Sequence, residues 1–128
     1  MKQDDLVLIP YTEYGIPSGN YDGSSETNFS GDRVKAANYY IRVSNTQSVR
    51  FQTDEFAGRI DIEATLDEDP VNTEDWFGVY DFPGDSTQDG SSVVSTDYVT
   101  ALQGRYTWIR AVVSNFENGK ILKVSLIY

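Results

Sequence analysis

A chain of 128 residues with 39% hydrophobic and 13% aromatic content is long enough to bury one core and too apolar to be a disordered tail. It has no cysteine and no histidine, which excludes disulfides, thiolate chemistry, imidazole general-base chemistry and the usual zinc, copper or iron ligands. A net charge of −10 argues against nucleic acid and anionic membranes as partners, since both call for a cationic field.

The start is polar, and the first apolar run, Leu6 to Ile9, is far shorter than the roughly 18 residues of a membrane span; it reads as a strand, with no signal peptide or anchor expected. Gly15 to Asp32 is a glycine-rich stretch with Pro17 and many small polar residues, longer than an ordinary connection, and is expected to be an irregular N-terminal arm. Ordering such an arm costs about 1–2 kcal/mol per residue in backbone entropy. It is therefore expected to lie against another subunit or the domain's own sheet, with Tyr21 and Phe29 as apolar anchors. Its glycines are too irregular for a phosphate-binding loop, and no helix follows them.

Helical periodicity is nearly absent beyond the arm. Strands are expected at Tyr39–Ser44, Ser48–Thr53, Gly58–Leu66, Trp76–Tyr80, Val93–Thr100, Arg105–Val113 and Ile121–Tyr128, all rich in β-branched and aromatic residues. The clearest is Gly58–Leu66, with Ile60, Ile62, Ala64 and Leu66 on one face and Arg59, Asp61, Glu63 and Thr65 on the other. Turn-forming clusters stand at Ser44–Gln47, Asp67–Pro70, Pro83–Asp85 and Asn115–Gly119, and the last predicts a hairpin between the final two strands. The expected fold is all-β: a two-sheet antiparallel β-sandwich, jelly-roll-like. The expected organisation is one domain, with an N-terminal strand and arm over 1–32 and a sandwich core over 33–128. The strands carrying Ile60 to Leu66, Ile109 to Val113 and Leu122 to Leu126 are expected to share one core.

Charge is unevenly placed. Residues 33–51 hold Arg33, Lys35, Arg42 and Arg50 without an acid, while residues 52–100 hold 13 acids against Arg59. Chance and solubility account for this as well as a bipolar surface that orients the domain against neighbours does.

Each candidate site has a bland alternative. Asp67, Glu68 and Asp69, completed by Asp75 or Asp89, could hold calcium, but the spacing lacks an EF-hand signature and a solvated acidic turn explains it. Asp61 and Glu63 share an outward strand face, yet an open pair has no reason to separate its pKa values, so no catalytic residue, metal ligand or cofactor is assigned. Trp76-Phe77 reads as a plug at one end of the sandwich. If Ile109, Ala111 and Val113 face the core, then Tyr106, Trp108 and Arg110 form an aromatic-cationic row suited to an interface with an acidic partner, although Trp108 fits the core equally well.

Phe56 to Leu66, then Asp75-Trp76-Phe77, then Tyr106 to Val113, then Lys120 to Val124 resemble a recurring module of virion structural proteins from tailed bacteriophages, especially contractile-tailed phages of aquatic hosts. Those modules follow the pattern F-x-G-x-I-x-I-x-A-T-L, D-W-F, W-I-R-A-x-V and G-x-I-x-K-V. The stretch Gly15 to Ser25 resembles their G-x-P-x-G-N-Y-D-G-S-S segment. Five short motifs in one order are specific where one alone is not. The resemblance implies a non-enzymatic virion component, made in the host cytoplasm. It would dock to other virion structural proteins, or to copies of itself, as a capsid decoration or in the neck, tail or baseplate. The chain is similar more loosely to discoidin-like jelly rolls, which carries fold and not function. The alternative is a carbohydrate-binding or host-attachment module.

Overall fold

A computed structural model describes residues 6–23, 28–40, 45–82 and 94–128. Eight strands, β1 (Leu6–Ile9), β2 (Thr12–Glu13), β3 (Phe29–Ser30), β4 (Val34–Lys35), β5 (Thr46–Thr65), β6 (Phe77–Phe82), β7 (Val94–Gln103) and β8 (Trp108–Ile127), form one antiparallel sheet. A four-residue helix, α1 (Ala37–Tyr40), and a 3-10 turn at Thr73–Asp75 complete the elements.

The frame is the pairing of the two 20-residue strands β5 and β8, which runs from Ser48↔Ile127 to Thr65↔Trp108. Each bends midway, where the register shifts between Asp54 and Arg59 of β5. Glu55 and Asn115 (φ 53° each) and Gly119 (φ 85°) adopt left-handed backbone there, the conformation that lets a bulge turn a strand sharply. A Cβ on Gly119 would strike the Glu55 carbonyl, so a glycine is needed for the bent strands to stay in contact.

The bend makes a sandwich from one sheet. In the first layer β1 and β2 flank the C-terminal half of β8 (Leu6↔Leu126, Thr12↔Ile121) and β7 flanks the N-terminal half of β5. In the second, β3 and β4 flank the other half of β8 (Phe29↔Val113, Val34↔Ile109) and β6 flanks the other half of β5. The layers meet in one core that includes Leu8, Ile9, Val49, Phe51, Ile60, Ile62, Ala64, Ile109, Ala111, Val113, Val124 and Leu126. Phe51 of the first layer stacks on Phe82 of the second with ring centroids 4.4 Å apart. The layers also touch at Gly31, where a side chain would collide with the Leu8 backbone.

The all-β sandwich expected from the sequence is what forms, and its two layers are halves of a single folded sheet. The predicted C-terminal hairpin does not form. Arg105–Val113 and Ile121–Tyr128 both fall largely within β8 and pair with β5 instead of each other, because Asn115–Gly119 bends the strand without reversing it. Ser48–Thr53 and Gly58–Leu66, short of its last residue, are likewise joined in β5. Thr46 and Gln47 lie in that strand rather than in a turn, with Gln47 fully buried. Its amide donates to the Leu102 carbonyl (3.0 Å) and its carbonyl accepts from the Ala37 N–H (3.3 Å), which ties α1 to the sheet. Residues 39 and 40 are helical where a strand was expected. The remainder of that predicted strand, the Pro83–Asp85 turn and Val93 lie outside the described residues. Leu66 and Leu122 are exposed, contrary to expectation. At Leu66 the reason is that β5 ends with both Ala64 and Thr65 buried, which breaks the alternation.

Candidate functional site

The alternation of β8 places Ile109, Ala111 and Val113 inward and leaves Trp108 and Arg110 on the outer face of the second layer. Directly across from Arg110 on β5 stands Glu63, and the Arg110 Nε and Nη2 both reach the Glu63 Oε1, at 2.8 and 2.7 Å. The guanidinium lies 4.3 Å over the ring of Trp76. Beside β8, Arg33 enters just before β4 and lies 4.4 Å over the ring of Trp108. Two arginine–tryptophan cation–π contacts therefore stand on this face.

The loop from Leu66 to Trp76 closes over this face. Trp108 donates its indole N–H to the Glu68 carbonyl (2.9 Å), Thr107 donates its hydroxyl to the Leu66 carbonyl (3.1 Å), and Arg33 reaches the Pro70 carbonyl at 3.4 Å and Asp69 at 3.7 Å. The loop is braced from within, because the Asp75 carboxylate accepts the Val71 and Asn72 N–H groups at 3.2 and 3.0 Å. Between the loop and the β4 side of the sheet remains an open cleft of about 270 Å³, whose lining includes Arg33, Arg110, Trp76, Asn72 and Asp32. The Asn20 amide donates to Asp32 at 3.0 Å and so fixes one wall to the arm.

Further along the same outer face, Asp61 and Asp81 are opposed in register and bridged by Arg59, at 2.8 Å to Asp61 and 2.9 Å to Asp81. Burial pushes the Asp61 carboxyl above its ordinary value, and its hydrogen bond to Asp81 adds to the rise while holding Asp81 below. The carboxylates suggested as a pair from sequence, Asp61 and Glu63, each pair with a different arginine, Arg59 and Arg110.

Of the predicted interface residues, Trp108 and Arg110 do stand together. Tyr106 does not continue their row. It precedes β8, packs against the core and edge-on to Phe77 (6.0 Å), and donates its hydroxyl to the Gln103 carbonyl (3.0 Å). Tyr21 and Phe29 lie elsewhere, 5.0 Å apart, in a ring cluster around Phe116. Tyr21 is 1% exposed, so this anchor of the arm is sunk in the chain's own core. Phe29 and Ser30 of the arm pair with β8 of the domain's own sheet. Trp76 does not plug the sandwich but forms a wall of the cleft, and its neighbour Phe77 is exposed. The acidic turn is drawn apart: Asp69 leans on Arg33 and Asp75 holds its own loop, and among the described residues no three acids gather to hold a metal. Asp89 lies outside the described residues.

Arg33, Asp32 and Asn72 were missed from sequence, because only the pairing of β4 with β8 and the crossing of the loop over β8 bring them to the two tryptophans. One signal was present: the acid-free cationic stretch beginning at Arg33 needed partners, and the acids of the middle region supply them. The pairs Arg33–Asp69 and Arg50–Asp97 join the two stretches within one chain. The fold and this face define a β-sandwich with an arginine–tryptophan cleft. Comparison with protein-family models, curated proteins and solved structures finds no match to the chain.

Proposed function

We propose that the chain is a non-enzymatic structural component of a tailed-phage virion that docks to other proteins of the capsid, neck, or tail and baseplate. The observation that carries this reading is where the resembling motifs fall in the fold. Phe56, Ile60, Ile62 and Ala64 line the core through the bend and second half of β5, Ile109, Ala111 and Val113 face them from β8, and Gly119, Ile121 and Val124 carry β8 through its bend. Tyr21 of the arm motif is a core residue. The motifs thus specify a framework and the strap that seals it, which is what a module reused for its shape requires. The free side of the sheet supports docking as well. Among the described residues β6 and β7 pair only with β5, and the ten-residue β7 carries one charge, Asp97, with Tyr98 and Val99 exposed. Such an edge can accept a strand from a neighbour. Mass spectrometry of density-banded particles tests the proposal: the chain should co-purify at fixed stoichiometry, and its presence in lysate but not in particles would overturn it.

A carbohydrate-binding or host-attachment role is the second reading, favoured by the cleft at Trp76, Arg33 and Arg110.

A further inference from the structure

We propose that the cleft between the Leu66–Trp76 loop and β4 binds a sugar bearing a carboxylate, such as a uronic acid unit of a surface polysaccharide. The inference rests on the carbohydrate-binding reading and narrows it to one ligand chemistry. A volume of about 270 Å³ lies just below the roughly 300–1,000 Å³ of sites for drug-sized molecules, so the occupant is about a sugar ring or two in size.

The lining decides the chemistry. Arg33 and Arg110 are planar fork donors, the geometry that matches a carboxylate. Their stacking on Trp108 and Trp76 holds the guanidinium planes in place before any ligand arrives, which lowers the ordering cost of binding. Neither fork is saturated. Arg110 directs Nε and Nη2 to a single Glu63 oxygen, and the Arg33 contacts, at 3.4 and 3.7 Å, are long. Glu63 and Asp69 weaken the positive field of the two arginines, which suits a monoanion better than a phosphate dianion.

The other groups call for hydroxyls. Asp32 offers an acceptor, the Asn72 amide offers both donor and acceptor, and Trp76 supplies the aromatic wall that the C–H face of a pyranose prefers. A simple carboxylate would meet like charge at Asp32 and leave these groups unmatched. A neutral sugar would leave unused the guanidinium N–H groups that Glu63 and Asp69 do not occupy. A uronate answers both sets.

The chain's two tryptophans both belong to this face, so intrinsic fluorescence reports the site directly. Short oligomers of galacturonate, glucuronate and mannuronate are titrated into the full chain alongside the matching neutral oligomers and acetate. The expected result is a saturable change with at least one uronate, about tenfold or more tighter than its neutral counterpart and weakened by salt. Arg33→Gln should abolish that preference while leaving the melting temperature nearly unchanged, since Arg33 is an exposed residue with long contacts. Arg110→Lys keeps the charge without the fork and should weaken the same preference. Equal binding of acidic and neutral oligomers, lost on Asn72→Ala, would overturn the carboxylate inference and leave the sugar-binding reading standing. Acetate acting as strongly as the uronates would overturn it as well. Absence of any response from all the oligomers would overturn both.

Discussion

Replacing Phe116 with alanine should unfasten the arm from the bend of the sheet. Phe116 is fully buried, and its ring meets Tyr14 at 5.5 Å, Tyr21 at 5.2 Å, Phe56 at 5.6 Å and Phe29 at 6.1 Å. Burial of such a side chain is worth about 1.5–3 kcal/mol. Aromatic pairs add about 0.5–1.5 kcal/mol each, though not additively. The sum points to a loss of about 3–5 kcal/mol, the range seen for large aromatic truncations in cores. Against a total stability of about 5–15 kcal/mol the variant remains measurable. Urea titration of wild type, Phe116→Leu and Phe116→Ala gives the test. Leucine should cost less than half as much as alanine, because it keeps much of the apolar volume while losing the ring contacts. Three of the four partners come from residues 14–29, so amide exchange should accelerate at Tyr21, which donates to the Ser18 carbonyl, and at Gly31, which donates to Ala111. An alanine cost below about 1 kcal/mol, or unchanged exchange at those amides, would refute the role of Phe116 as the clasp.

Gly119→Ala should lose about 2–5 kcal/mol in the same titration, combining about 1–2 for the left-handed backbone with about 1–3 for the collision with the Glu55 carbonyl; a neutral result would mean that the bend does not depend on close approach. Ser125→Ala should stabilise by about 1 kcal/mol, because the hydroxyl is fully buried and has no partner among the described residues; a loss of stability would reveal a hydrogen bond to that oxygen. The Tyr80 hydroxyl is pushed up to about 12, by burial first and then by its hydrogen bond with Tyr98. Because the unfolded chain ionises near 10 while the fold still holds the proton, stability should fall as pH rises through the interval from 10 to about 12, and Tyr80→Phe should flatten that slope in alkaline melts.

Much of the core was legible because it is local. The alternation of Ile60, Ile62 and Ala64, and of Ile109, Ala111 and Val113, assigns the inner face of each strand with no knowledge of its partners. The bend was not legible. Asn115, Asn118 and Gly119 carry the composition of a reversing turn, and the same left-handed conformations serve a bulge equally well; pairing with β5 across the whole chain selects between the two. Phe116 was overlooked for the same reason, since a ring inside a turn-forming cluster looks exposed until the arm folds over it. The cleft was half legible. Trp108 and Arg110 emerged from strand alternation, whereas Trp76 and Asn72 reach them only through an irregular loop whose course is set by Asp75 and by the Trp108 indole, and Arg33 only through the long-range pairing of β4 with β8. Tyr106, two residues before Trp108, was assigned to the row by continuing a strand period past the point where β8 begins.

A cryo-EM reconstruction of the intact tailed particle encoded alongside this sequence tests the central proposal most directly. The account predicts symmetric density that fits the folded eight-stranded sheet, seated on another capsid, neck, tail or baseplate protein, with the β6–β7 side of the sandwich covered by that neighbour. A complete particle with every protein density assigned and none accommodating this sandwich would contradict it.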